Sequence, residues 1–287
     1  MFAITGITGQ VGGAVARTLL AEGATVRAVA RDASKAAPWT AHGCELAIAD
    51  MSDAPALARA FAGADGVFVL IPPIFDPLPG FVEAGAVISA VRDALAEVRP
   101  TRAVCLSTVG AQVTQPNLLN QLAMMERELG TLDLPIAFVR AAWFMENAAW
   151  DVATARNGVI QSFLQPLDHA IPMVATADIG ATAARLLRER WAGCRVVELQ
   201  GPSQVSPNEL AAIFGRLLGH PVSAQAVPRE EWEALFRKQG MQNPAPRMQM
   251  LDGFNQGWLS FEGGERLEVV TGTTTLEIVV RGLLKRA

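Results

Sequence analysis

Along the first half of the chain, short apolar runs alternate with longer stretches in which apolar residues recur every three or four positions. The short runs predict strands at residues 2–5, 25–30, 45–49, 66–71 and 102–107, with a sixth at 136–140. Several are apolar throughout, as strands covered by helices on both faces must be. Between them, residues 11–21 place Val11, Val15, Leu19 and Leu20 on one stripe, and residues 54–62 and 81–98 repeat the helical period. Alternation of this kind implies successive βαβ units and a doubly wound parallel sheet. The regularity breaks after Arg140. Residues 148–171 carry Asn157-Gly158 and Pro166 and predict loops with a short helix or strand. Residues 178–191 predict an amphipathic helix, and 195–199 a strand that returns to the main sheet. Helices starting near Ser206 and Arg229, and one over 274–284, predict a smaller mixed α/β unit. The expected division is residues 1–150, with a sheet completed by 175–200, and a second unit of 201–287 with 151–174.

Composition narrows the class. Of 287 residues, 51% are hydrophobic and 18% charged, with 25 Gly and 17 Pro scattered rather than clustered, the profile of a folded globular chain. The formal net charge is -4 and the basic residues form no long run, so no nucleic acid partner is expected. Cys44, Cys105 and Cys194 are odd in number, far apart and set mostly among apolar neighbours, which fits buried free thiols in a reducing compartment. No CxxC or HExxH occurs, and His42 with Cys44 is too small a donor set for a metal, so none is expected. The first residues read as a strand rather than a secretory signal, and no window of about 20 residues is apolar enough to span a bilayer. The expectation is a cytoplasmic protein without a membrane partner.

The most informative segment is Thr5-Gly6-Ile7-Thr8-Gly9-Gln10-Val11-Gly12-Gly13, between the first strand and the first helix. A pyrophosphate needs a tight turn, a backbone free of side chains where the phosphates approach, and a helix N-terminus facing the anion. Gly6, Gly9 and Gly12 suit these needs in order, with Thr8, Gln10 and Val11 completing the candidate cradle. The spacing is GxxGxxG rather than GxGxxG, and its place at the first βα junction gives it weight. A Rossmann-like dinucleotide-binding domain follows.

The end of the second strand separates the two nicotinamide cofactors. NAD sites usually end it with an acidic residue that accepts from the ribose hydroxyls. Here Ala30 is followed by Arg31, whose permanent charge suits a 2'-phosphate, with Lys35 one turn on. Asp32 could face a ribose or cap the next helix. NADP is favoured, with NAD the alternative.

Further segments resemble the NmrA-like group of atypical short-chain dehydrogenases, which includes type-2 quinone oxidoreductases and HSCARG-like redox sensors. They are Gly6-Ile7-Thr8-Gly9-Gln10-Val11-Gly12, Val26-Arg27-Ala28-Val29-Ala30-Arg31, Ala49-Asp50-Met51 and Leu106-Ser107-Thr108. More particular to the group are Arg140-Ala141-Ala142-Trp143-Phe144-Met145-Glu146-Asn147, Phe254-Asn255-Gln256-Gly257-Trp258 and Gly272-Thr273-Thr274-Thr275-Leu276. The resemblance implies that Asp50 and Met51 border the adenine and that Ile71 and Pro72 lie along the cofactor. It also implies that Phe144 and Asn147 approach the nicotinamide end as acceptor-binding residues. Each has a plainer alternative: Asp50 as a helix cap, Phe144 as core, Asn147 as a loop tie.

The usual catalytic pair of short-chain dehydrogenases is missing. The chain has no tyrosine, and no lysine falls between Lys35 and Lys238. Ser107 and Thr108 close the fifth strand, where hydroxyls can hold cofactor or substrate but cannot serve unaided as general acids. Glu126 and Glu128, on a helix expected over 117–129, read as solvated charges. No GxSxG occurs, which leaves hydrolase chemistry without support. Two functions remain. One is an NAD(P)H-dependent oxidoreductase passing hydride to a small quinone-like acceptor; the other is a non-catalytic NADP(H) sensor reporting to a protein partner.

Overall fold

The computed structural model describes residues 1–264 and 267–286. Its first half alternates β1 (Phe2–Ile4), α1 (Gln10–Ala21), β2 (Val26–Ala30), α2 (Ala33–Ala41), β3 (Glu45–Ile48), α3 (Ala54–Phe61), β4 (Gly66–Val69), α4 (Val82–Val98), β5 (Arg102–Thr108), α5 (Asn120–Leu129) and β6 (Ile136–Ala141). The second half runs through β7 (Trp143–Phe144), α6 (Val152–Ala155), β8 (Val159–Ser162), β9 (Ile171–Val174), α7 (Thr176–Arg188), β10 (Cys194–Gln200) and β11 (Gln204–Val205). It ends with α8 (Pro207–Leu218), β12 (Ser223–Ala226), α9 (Trp232–Lys238), α10 (Ala245–Asn255), β13 (Glu268–Thr271) and α11 (Leu276–Leu284).

The main sheet has eight strands in the order β13-β10-β6-β5-β4-β1-β2-β3, every pair parallel. This is the expected doubly wound sheet. One face is covered by α3, α4 and α5, whose Leu57, Phe61, Ile88, Leu95 and Met125 pack on Val67, Cys105 and Phe138. The other is covered by α1 and α7, whose Val15, Leu19, Ile179 and Leu187 pack on Ile4, Phe68, Val104 and Val139. Helices α1 and α7 lie unusually close because Gly180 lacks a side chain: a Cβ there would stand 2.5 Å from the Ala14 Cβ.

A third core, centred on Phe214, Trp232, Phe236 and Phe254, joins the smaller sheets β11-β9-β7 and β12-β8 to α8 through α11. The start of α8 is fixed locally, with Ser206 and Glu209 forming a reciprocal cap.

The C-terminal part differs from the sequence reading in two ways. Strand β13 lies among residues assigned to the smaller unit, yet it forms the outer strand of the main sheet beside β10. Its four residues carry no period long enough to tell one sheet from another, and the ion pairs of Glu268 with Arg185 and Arg195 help hold it there. Helix α10 begins at Ala-Pro after Pro244 and has little apolar periodicity, so the pattern did not announce it.

Candidate functional site

The sheet order reverses at β1: β2 lies on one side and β4 on the other. In open sheets of this kind a dinucleotide binds outside the strands' carboxyl ends at such a switch point. Gly6 turns the chain there with φ +61°, a left-handed conformation that favours glycine. Gly12 is excluded from having a side chain by the protein itself, since its Cβ would stand 2.3 Å from the Gly6 carbonyl oxygen. Gly9 differs, because its nearest neighbour would be that same oxygen at 3.3 Å. The fit at Gly9 is close but far looser than at Gly12, and a Cβ there would need the Gly6 carbonyl to give by only a few tenths of an ångström.

Gly9 is also the N-cap of α1 and offers no side chain to satisfy it. Among the described residues, no hydrogen bond engages the N–H groups of Gln10, Val11 or Gly12. Val11 and Gly12 are buried, while Thr8 and Gln10 are exposed at the rim. Unpartnered N–H groups at a helix start, in a backbone cleared by glycine, suit a pyrophosphate.

At the end of β2, Arg31 and Lys35 are exposed. Asp32 takes the second of its two anticipated roles: its carboxylate accepts from the Ser34 amide at 2.8 Å and hydroxyl at 2.7 Å, capping α2. Those bonds from Ser34 hold its carboxyl below the ordinary range. Asp50 accepts likewise from the Ser52 hydroxyl and amide, which lower its pKa, with nearby Arg31 adding a smaller pull. It therefore forms a local turn, and Asp53 caps α3 instead. Met51 and Ile71 are buried in the core beneath α3 and α4, and Pro72 is half-buried.

Ser107 and Thr108 stand at the end of β5 with their hydrogens engaged. The Ser107 hydroxyl donates to Glu126 Oε1 at 2.5 Å, and the Thr108 hydroxyl to the Val109 carbonyl at 3.1 Å. Glu126 is not the solvated charge expected: its side chain is only 11% exposed. Arg140 on β6, beside Ser107 in register, pairs with Glu126, Nε donating to Oε1 at 3.0 Å and Nη2 to Oε2 at 2.7 Å. Helical period alone did not place Glu126 on the inner face, because the stripe of α5 is broad and its partner lies on another strand. Burial opposes the charge of Arg140, but its bonds to Glu126 and Glu262 outweigh that and raise its pKa.

Phe144 is half-buried against the α1 and α7 side of the core with Leu70. Asn147 is half-buried in the 3-10 turn Met145–Asp151. Its neighbour Glu146 accepts from the amide and hydroxyl of Thr176, anchoring the start of α7. In the same turn, burial pushes the carboxyl of Asp151 up to about 7. No sequence signal marked that residue.

The two C-terminal motifs are architectural. Asn255 accepts from the Gln165 amide and donates to the Phe163 carbonyl, and Phe254 meets Trp143 edge-on at 5.2 Å. Gly272 makes room for Asp178, which binds the Thr274 amide and hydroxyl, and Thr275 caps α11. Residues 259–263 then fold over the end of the sheet. Leu259 packs on Gly110, the Ser260 carbonyl accepts from Gln112, and Glu262 reaches Arg140 at 2.6 Å.

Among the described residues, no group of acidic, cysteine and histidine side chains could hold a metal ion. No helix among them is long and apolar enough to cross a membrane.

The NmrA-like family pattern matches residues 1–256. The chain is 26% identical over 244 residues to an NAD(P)H azoreductase of Xenophilus azovorans, covering 84% of this chain and 82% of that protein. It is 26% identical over 287 residues to quinone oxidoreductase 2 of Escherichia coli K12, covering 96% of each. The crystal structure of the NADPH-dependent E. coli quinone oxidoreductase complexed with NADPH superposes with a TM-score of 0.80, at 25% identity over 99% of both chains. Triphenylmethane reductase of Citrobacter sp., complexed with NADP(H), shares the fold with a TM-score of 0.82 at 22% identity, again over 99% of both.

Proposed function

Because this chain belongs to the NmrA-like family, we propose that it is an NADPH-dependent reductase whose acceptor is a quinone or a similarly electron-poor aromatic compound. The glycine cradle and the free N–H groups of α1 would hold the pyrophosphate, and Arg31 with Lys35 the 2'-phosphate. Asp50 and Met51 would border the adenine, and Ile71 and Pro72 would line the path toward the nicotinamide. Phe144 and Asn147 would meet the acceptor. When bound, the cofactor supplies a hydride.

One observation carries the choice of acceptor: both hydroxyl hydrogens at the end of β5 are engaged within the protein. Ser107 donates into the Glu126–Arg140 ion pair, so what it can offer a ligand is a lone pair rather than a proton. The sequence has no tyrosine to serve in its place. Reduction of an isolated ketone develops alkoxide charge on one oxygen, and a positioned donor there contributes roughly 10²- to 10⁴-fold in rate. A quinone spreads the added charge through its ring and can take its protons from solvent. The protein's part is then to align the two rings and exclude water between them.

NADPH oxidation measured with a panel of quinones, simple ketones and secondary alcohols tests this reading. Turnover with quinones alone is expected. Efficient reduction of an unactivated ketone would reveal a proton donor and overturn the acceptor assignment. Tight NADPH binding with no turnover of any acceptor would favour the redox-sensor function instead.

A further inference from the structure

The segments that leave β4 and β5 meet the smaller unit at one place. Asp76 accepts from the backbone amides of Gln242 at 2.7 Å and Asn243 at 2.6 Å, and the Asn243 side chain donates to the Pro77 carbonyl at 2.9 Å. The Leu118 amide donates to the Pro246 carbonyl at 2.9 Å. Gln121, in the first turn of α5, ties the two segments together by donating to the Leu118 carbonyl at 3.1 Å and the Ile74 carbonyl at 3.4 Å. In a doubly wound sheet these segments border the ligand crevice outside the strands' carboxyl ends. Arg247 follows directly on this junction.

The guanidinium of Arg247 lies over the Phe236 ring at 4.4 Å and donates to the Met241 sulfur at 3.8 Å. Neither neighbour carries a negative charge. Among the described residues, Arg102 and Arg247 are the arginines withdrawn from the surface without a carboxylate in ion-pair contact. Arg102 donates to the Leu187 carbonyl and feels Asp65. Among the described residues Arg247 meets no oxygen acceptor, and burial lowers its pKa. Arg229 makes the contrast within the same aromatic cluster. It stacks on Trp232 at 4.7 Å and is also gripped by both oxygens of Asp252 at 2.7 Å. No Arg247 nitrogen is both buried and without a partner, so its remaining donors reach solvent, where an arriving anion can take them.

We propose that Arg247 is a specificity-determining residue that binds the anionic substituent, a sulfonate or carboxylate, of an aromatic acceptor. This rests on the reductase reading of the crevice and adds the acceptor's charge to it. The Phe236 ring beneath the guanidinium restrains it before the ligand arrives.

The test compares 1,4-naphthoquinone with its 2-sulfonate as acceptors for NADPH oxidation. The substitution Arg247→Met, which keeps an apolar stem on Phe236, is expected to raise KM for the sulfonate about tenfold or more, the loss of one charge-assisted contact. KM for the uncharged quinone and kcat for both should stay within about twofold, and Arg247→Lys should recover part of the difference. Equal changes with both acceptors, or none, would show that Arg247 only packs. If neither quinone is turned over, the reductase reading fails separately, and calorimetry with 2-naphthalenesulfonate and the NADP-loaded protein decides the site. Binding that Arg247→Met weakens about tenfold supports the inference. Binding that is absent, or unchanged by the substitution, overturns it.

Discussion

The Arg140 guanidinium meets both carboxylate oxygens of Glu126, at 3.0 and 2.7 Å, beneath the end of β5. Both side chains are nearly withdrawn from water, at 8% and 11% exposure. Removing one member leaves the other charge buried without its counter-ion, which costs about 3–5 kcal/mol, whereas replacing both by apolar residues is far milder. Arg140→Met is therefore expected to lower the urea midpoint more than Arg140→Met combined with Glu126→Leu. A double variant no more stable than the single one would show that the pair is not energetically coupled.

The glycine cradle predicts two different failures. Gly9→Val asks the Gly6 carbonyl to give by only a few tenths of an ångström, so the variant should fold and lose NADPH binding in calorimetry. Gly12→Val drives a side chain into the Gly6 carbonyl, with the Cβ alone at 2.3 Å, so it should lose stability by several kcal/mol as well. A Gly12→Val protein with an unchanged melting temperature would contradict the close approach.

With Asp32 engaged as the cap of α2, the proposed phosphate contact at the end of β2 falls to Arg31, assisted by Lys35. Arg31→Ala should narrow the preference for NADPH over NADH by roughly tenfold or more, as expected for a charge-assisted contact of about 1.5–3 kcal/mol. Paired titrations with the two cofactors measure the ratio. An unchanged ratio would remove Arg31 from the phosphate site.

Asp151 should make stability depend on pH. Its folded pKa of about 7 lies above the ordinary aspartate range because burial penalises the carboxylate. The folded state therefore holds the proton more tightly. Its favourable contribution is complete below about pH 4 and is lost as the pH rises to about 7. Asp151→Asn should thus be more stable than wild type at pH 8, by up to about 4 kcal/mol at 1.36 kcal/mol per unit, with the gap closing toward pH 4. Melting curves across that range check it, and a gap that widens on acidification would reverse the assigned cause.

The sequence by itself determined the features that depend on neighbours in the chain. Alternating apolar runs and helical stripes specify the βα series through β6, because burial on one or both faces imposes its period locally. The turn from Gly6 to Gly12 is legible for the same reason: a tight turn leading into a helix start is set by adjacent residues. The tertiary structure decided whatever depends on register between distant segments. It turned Glu126 inward to meet Arg140 and brought Glu262 to the same guanidinium across 122 positions of sequence. It set Gly180 against Ala14 and placed β13 beside β10. It also buried Asp151 and left Arg247 against a ring and a sulfur. A charge carries no period of its own, so whether it is solvated, paired or left waiting for a ligand is settled only when the sheet and the smaller unit close around it.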